Sequence, residues 1–294
     1  MDQVNHQSLH KFIQLALNED VGDGDHTSLS TIPADATGVA RILIKEKGIL
    51  AGLDVSLAVF AEVDPTLITT TFSKDGNEIN PGDVVLTVSG NIRSILLAER
   101  LVLNIMQRMS GIATVTSQVV AKLKGTSTKV LDTRKTTPGM RFLEKEAVKI
   151  GGGVNHRFGL YDMILIKDNH VDFAGGIQKA LNAANTYRDT LTKEIEIEIE
   201  VRSLDELAEV LAHGGIDRIL LDNFELNNLR TAVSLIDSKY ISEASGGITL
   251  HNALEYASTG VDFISMGALT HSVKSLDISL KSELANIPSK VSGK

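Results

Sequence analysis

The chain has 294 residues, 43% hydrophobic and 22% charged, so it holds enough apolar material for a packed core and lacks the composition of a disordered segment. Its 29 Lys and Arg against 37 Asp and Glu give a formal charge of -8, which argues against a nucleic-acid or anionic-membrane surface. It has no cysteine, which excludes disulfides, thiolate metal sites and a cysteine nucleophile and makes the cytoplasm the expected location.

The opening MDQVNHQSLH shows no basic stretch followed by an apolar one, and no later apolar run reaches the roughly 18 residues of a membrane span. Residues 1–110 then mix patterns. An amphipathic segment near Ser8 to Asn18 precedes alternating strand-like runs at Ala40 to Lys45 and Leu67 to Phe72, a turn cluster DGNEINPGD, and VVLTV. This predicts a small N-terminal α+β domain. From Arg93 to Lys124 the period is helical, with Leu96, Leu97, Leu101, Leu103, Ile105 and Met106 apolar and Ser110-Gly111 interrupting it, as expected of a bridge between domains.

After Lys129 short apolar strands alternate with helix-like segments, the pattern of βαβ units and a parallel sheet. The strand candidates are VLDTR, MILIK, IEIEIEV, RILLD, YISEAS and FISMG. Between them lie the helical candidates MRFLEKEAVKI, GIQKALNAAN, SLDELAEVLAHG, ELNNLRTAVSLI and TLHNALEYAS. Six strands wound one way predict an α/β fold, an incomplete (β/α) barrel over 111–275, with a doubly wound open sheet as the competing arrangement. Residues 276–294 are expected to form a tail that packs back on the N-terminal domain.

In such barrels the chemistry sits at the carboxyl ends of the strands, where the βα loops converge. Those ends are Arg134-Lys135, Lys167-Asp168-Asn169, Glu200, Asp222-Asn223, Ser245-Gly246-Gly247, and Gly267 followed by Ala268, Leu269, Thr270, His271 and Ser272. Every strand delivers an ionisable group or a glycine turn. The glycine turns SGGIT and GALTHS suit phosphate, because exposed backbone N–H groups there favour an anion. Gly214-Gly215 reads instead as a helix stop.

Alternation puts Glu196, Glu198 and Glu200 on one face of a strand covered on both sides, where carboxylates need cations or a metal. Arg134, Lys135 and Lys167 are available as partners. Glu196 is expected to face solvent, Glu198 to form a structural ion pair, and Glu200 to serve function. Asp222 adds a second carboxylate, and two oxygen ligands with a phosphorylated substrate are an ordinary way to hold Mg2+. The loop GGGVNHRFG carries His156 and Arg157 and is either a flexible surface loop or an anion-recognition loop. His26, His170, His213 and His251 lack the spacing of a histidine zinc site, and His213 and His251 read as surface or packing residues.

The runs ERLVLNIMQRMSGIAT, DTRKTTPGMR, GGGVNHRFGLYDMILIKDNH, LLDNF, EASGGIT and GALTHS, in this order and over nearly the whole chain, resemble the quinolinate phosphoribosyltransferase family. The resemblance implies an N-terminal α/β domain, an incomplete α/β barrel, and a homodimer in which one subunit borders the other's site. It implies transfer of the phosphoribosyl group of phosphoribosyl pyrophosphate (PRPP) to quinolinate, releasing pyrophosphate and CO2 and leaving nicotinate mononucleotide. It further implies that Arg134, His156, Arg157 and Lys167 bind the quinolinate carboxylates, with Arg100 supplied by the neighbouring subunit. Lys135, Glu200, Asp222, Ser245, Gly246, Gly247, Gly267, Ala268, Leu269 and His271 would hold PRPP, and Glu200 and Asp222 its Mg2+. Lys135, Lys167, Glu200 and Asp222 are the catalytic candidates. Two other readings of the same residues are a barrel aldolase with Lys167 or Lys135 as Schiff-base lysine and a non-catalytic binder of pyridine or ribose phosphates.

Overall fold

The amphipathic segment near Ser8 to Asn18 lies within helix α1, Gln3–Val21, in the computed structural model, which describes residues 3–283. Its buried Leu9 and Ile13 are one turn apart on one face. Helix α2, His26–Thr31, starts where the Asp25 carboxylate accepts the Ser28 N–H at 3.1 Å. Strands β1, Thr37–Ile44, and β2, Gly48–Ile49, lead to helix α3, Leu53–Val63, whose first N–H groups are taken by Asp75. Strands β3, Ile68–Thr71, β4, Glu78–Ile79, and β5, Val84–Asn91, follow. The pair β2–β4 places a strand inside the DGNEINPGD turn cluster, and two residues are too few for alternation to show.

Helix α4, Ile92–Lys122, is 31 residues long and runs without a break through Ser110-Gly111, where the sequence predicted an interruption. Packing explains both residues. A Cβ on Gly111 would overlap the Lys274 carbonyl oxygen, and Ser110 Oγ accepts the Ala51 N–H at 3.0 Å. Small side chains serve close approach here, not helix termination.

The barrel elements come next in the chain: β6 Lys129–Leu131, α5 Arg141–Ile150, β7 Ile164–Ile166, α6 Asp168–Ala174, α7 Ile177–Asp189, β8 Ile197–Val201 and α8 Leu204–His213. Then follow β9 Arg218–Asp222, α9 Leu226–Ile236, β10 Ile241–Ser245, α10 Ala253–Ala257, β11 Phe263–Ser265 and α11 Ala268–His271. All six predicted strands form one parallel sheet in the order β6-β11-β10-β9-β8-β7. The first and last of them are neighbours, so the sheet curls upon itself, which decides for a barrel against a doubly wound sheet. No pairing joins β6 to β7 among the described residues. Val154 instead makes a single parallel bridge to Leu131, so the barrel is incomplete.

Strand β8 is buried along its whole length and lies inside the sheet, so Glu198 and Glu200 do not belong to a solvent-facing edge strand. Gly214 closes α8 with φ 69, the expected helix stop. The predicted helix TLHNALEYAS shortens to α10, because Asn252 accepts the Thr249 N–H and donates to the Gly247 carbonyl, making a turn first.

Strand β12, Ile278–Glu283, pairs antiparallel with β1 and completes a second sheet, β12-β1-β5-β3. The rest of the predicted tail lies outside the described residues. The chain divides into two units, Met1–Thr114 with Phe142–Gly151 and Val273–Lys294, and Val115–Arg141 with Gly152–Ser272. In the first, Arg108 donates to the fully buried Glu144 at 2.8 Å. No helix among the described residues is long and apolar enough to cross a membrane. Gly111→Ala should destabilise the fold by about 1–3 kcal/mol, the ordinary effect of overpacking. A denaturant midpoint equal to the parent's would show that the Lys274 backbone yields freely.

Candidate active site

At the carboxyl end of the barrel strands lies a cavity of about 620 Å3, within the usual range for a small-molecule site. Its wall includes Arg134, Lys135, His156, Arg157, Lys167, Glu200, Asp222, Ser245, Gly246, Gly247, Gly267, Ala268 and His271, so most of the predicted site residues do converge. Two do not. Leu269 is fully buried and absent from the wall, since the single turn of α11 carries that face inward. Arg100 is an exposed residue of α4 and lies outside the cavity wall.

The NHRF loop is tied down along its length, so the flexible-loop reading does not hold. His156 N–H donates to the buried Asp132 carboxylate at 2.9 Å, and Asp162 accepts the N–H groups of Phe158 and Gly159. Arg141 bridges the two cation-bearing loops, donating from Nε to Thr136 Oγ1 and from Nη1 to the Phe158 carbonyl, both at 3.0 Å. Arg157 and Arg134 thereby face one ligand space. Burial, and then the charge of Arg134, lower the pKa of Arg157.

Beneath these cations lie acids the barrel cannot hydrate. His156 Nε2 stands 2.9 Å from Glu198 and 3.2 Å from Glu243, both carboxylates essentially inaccessible. Burial pulls the imidazole pKa down, but the hydrogen bonds and charges of Glu198 and Glu243 outweigh it and raise it from 6.5 to about 10. Burial, reinforced by Glu243, raises Glu198 to about 7. The Arg157 N–H aimed at Nδ1 from 2.7 Å opposes a second proton there. The tightly held proton therefore sits on Nε2, between the two glutamates, and the cluster shares any further proton. The partner of Glu198 is thus His156, and not the lysines or Arg134 that the sequence offered. The same nitrogen makes the group His156, Glu198 and Glu243 a poor metal site despite its compactness, because a metal on Nε2 would require Nδ1 to carry the proton.

One step nearer the mouth, Glu200 meets Lys167 at 3.5 Å. Burial raises its pKa, Lys167 opposes the rise, and Asp222 adds to it, so the two carboxylates sense each other. Glu196, at the far end of the strand, pairs with Arg218 at 2.7 Å and is half exposed, as expected of the outermost glutamate. Gly246 and Gly247 have φ of 99 and 62, backbone shapes a side chain disfavours. A Cβ on Gly267 would come 2.8 Å from Lys135 Cδ, so this glycine leaves room for the lysine stem. Thr270 Oγ1 holds the Lys135 carbonyl at 2.8 Å.

Thr133, Leu165, Leu220, Glu243 and Ser265 also line the cavity and went unassigned in the sequence; Asn223, read there only as a strand end, and Ile248 and Thr249 of the SGGIT turn line it as well. For Glu243 a signal existed: like Glu198, it is an acid within a strand that must be covered on both faces.

Four cationic side chains, the carboxylates of Glu200 and Asp222 and two glycine turns around one cavity define an α/β-barrel protein whose site suits a polyanion together with a small carboxylate. Residues 25–110 match the family model of the quinolinate phosphoribosyl transferase N-terminal domain, and residues 112–281 that of its C-terminal domain. A quinolinate phosphoribosyltransferase (decarboxylating) 1b of Nicotiana tabacum is 47% identical over 284 residues, 92% of this chain and 81% of that protein. A probable nicotinate-nucleotide pyrophosphorylase (carboxylating) of Bacillus subtilis is 43% identical over 96% of both chains. The structure of the nicotinate-nucleotide pyrophosphorylase from Francisella tularensis superposes with a TM-score of 0.89 at 38% identity, over 96% of this chain and all of that one. The chain belongs to the quinolinate phosphoribosyltransferase family.

The pKa shifts carry a sign for stability. His156, raised on folding, stabilises fully below about pH 6.5, and that contribution is lost as the pH rises to about 10. Glu198, an acid raised to about 7, loses its proton against the fold between about 4.5 and 7. Both predict a calorimetric melting point that falls with alkalinity. The Glu198→Gln, Glu243→Gln double variant should flatten the fall above pH 7, and an unchanged slope would refute the shared proton.

Proposed function

We propose that this protein transfers the phosphoribosyl group of PRPP to quinolinate and releases CO2, giving nicotinate mononucleotide and pyrophosphate for NAD biosynthesis in the cytoplasm. The observation that carries the reading is the convergence of Arg134, Arg157 and Lys167 on one cavity that Glu200 and Asp222 also line. Cations gathered and exposed in one cavity of an acidic chain suit a bound anion, and guanidinium forks match the two carboxylates of a pyridine dicarboxylate. Arg134 and Arg157, with the buttressed His156 loop, take this half of the site. Lys135 and the turns at Ser245–Gly247 and Gly267–Ala268 take the phosphates.

The quinolinate nitrogen attacks ribose C1 as the C1–pyrophosphate bond breaks, and positive charge builds on the ribose while negative charge builds on the leaving group. Lys135 neutralises part of the latter. Glu200 and Asp222 fit Mg2+, since they present only oxygen donors at adjacent strand ends, burial and mutual repulsion raise Glu200, and substrate phosphates and water complete such a shell. The ion would stabilise the departing pyrophosphate. Once the nitrogen carries the ribose, the ring is cationic. The bond to the adjacent carboxylate then breaks, its electron pair stays on the ring carbon, and a proton replaces CO2. Lys167, held by Glu200, positions the carboxylate that is lost. A lysine paired this way and half exposed lacks the desolvation a Schiff-base nucleophile needs.

Arg100, exposed on α4, we assign to the neighbouring subunit's site in a homodimer, a reading supported by the family resemblance. The purified protein given quinolinate, PRPP and Mg2+ should form nicotinate mononucleotide and CO2, and nicotinate should not replace quinolinate. Lys167→Ala should lower turnover about hundredfold or more. Arg134→Lys, which loses the fork, should raise KM for quinolinate more than KM for PRPP. Near-normal kinetics in both variants would remove the assignment.

A further inference from the structure

Among the described residues only Asn223, Asp237 and Ser238 are non-glycine residues with positive φ. Asp237 closes helix α9, with Ser238 next to it. Asn223, at φ 55, closes no helix: it directly follows β9, and α9 has Glu225 as its N-cap. A left-handed residue carries a conformational cost that its surroundings must hold in place, and such residues cluster where geometry serves a site.

Three contacts show what this conformation achieves. The Asn223 N–H donates to the Ser245 carbonyl at 2.8 Å. Its side-chain Nδ2 donates to Asp222 Oδ2 at 2.7 Å. Its Oδ1 fills the space that a Cβ on Gly246 would occupy, and its backbone nitrogen lies 3.0 Å from the same point. Asp222 and Ser245 are register partners across β9 and β10, so one amide clasps a carboxylate to the glycine turn of the neighbouring strand. Asp222, Asn223, Ser245 and Gly246 all line the cavity.

We propose that Asn223 is a positioning residue that locks Asp222 to the Ser245–Gly247 turn and so shapes the phosphoribosyl pyrophosphate half of the site. The inference rests on the function proposed above. Holding one Asp222 oxygen fixes the direction of the other, and the interlock with Gly246 fixes the backbone beside it. The quinolinate half, built on the loops of Arg134 and Arg157, shares none of these contacts.

Asn223→Gly accepts the left-handed backbone and removes the amide, while Asn223→Asp keeps the shape and turns a donor into a second carboxylate against Asp222. Two readouts separate positioning from general support: the KM values for PRPP and quinolinate, and the melting-point rise that PRPP with Mg2+ produces in the absence of quinolinate. Asn223→Gly should melt close to the parent and keep KM for quinolinate, while KM for PRPP rises about tenfold or more and the PRPP-induced melting shift shrinks. Asn223→Asp should lose at least as much. A parent-like KM for PRPP in either variant overturns the proposal, as does a proportional loss for both substrates or a failure of both variants to fold. A parent that turns over neither substrate would overturn the proposed function as well.

Discussion

Two glutamates on β8, Glu198 fully inaccessible and Glu200 largely buried at the cavity wall, set the terms for the rest of the site. A carboxylate taken out of water must be met by a proton or a cation. Glu198 is met by His156, with Glu243 on the other side of the same ring nitrogen, and Glu200 by Lys167. These pairings draw the NHRF loop and the end of β7 over the barrel mouth. The buried acids thus place cations that would otherwise repel one another around a single opening; burial first, and then the charge of Arg134, lower the pKa of Arg157 there.

The site is layered by dielectric. Deepest lies the His156 cluster, where charge is costly and a proton is shared; above it, Glu200 is buried but lines the cavity beside the less buried Asp222; at the rim, Arg134 and Lys135 are exposed and free to meet an anion. Opposite charges at successive depths let a protein of net charge -8 present a cationic pocket without a basic surface.

Small residues do the geometric work at the points of closest approach. Gly111 admits the Lys274 backbone, Gly267 clears the stem of Lys135, and Gly246 interlocks with Asn223. In each case the glycine is explained by a neighbour distant in the chain, which is why Ser110-Gly111 reads as a helix break in sequence and is none in space.

Much of the architecture was legible in the residue order. Period and punctuation located all six barrel strands and most of the helices, because those signals come from burial of one face or two and from caps a few residues away. The ionisable residues at the strand ends named most of the cavity wall before any pairing was known, since a parallel strand has one carboxyl end and its loop must start there. Two-residue strands, the unbroken α4 and the shortened α10 escaped, because each depends on a contact made elsewhere. What only the tertiary structure decided was pairing: that β11 lies beside β6 and curls the sheet into a barrel, that Glu198 answers His156 and not a lysine, that Glu243 belongs to the site at all, and that Asn223 clasps Asp222 to the Gly246 turn. Sequence fixes which groups are costly to bury; which neighbour relieves the cost is set by the register of strands far apart in the chain.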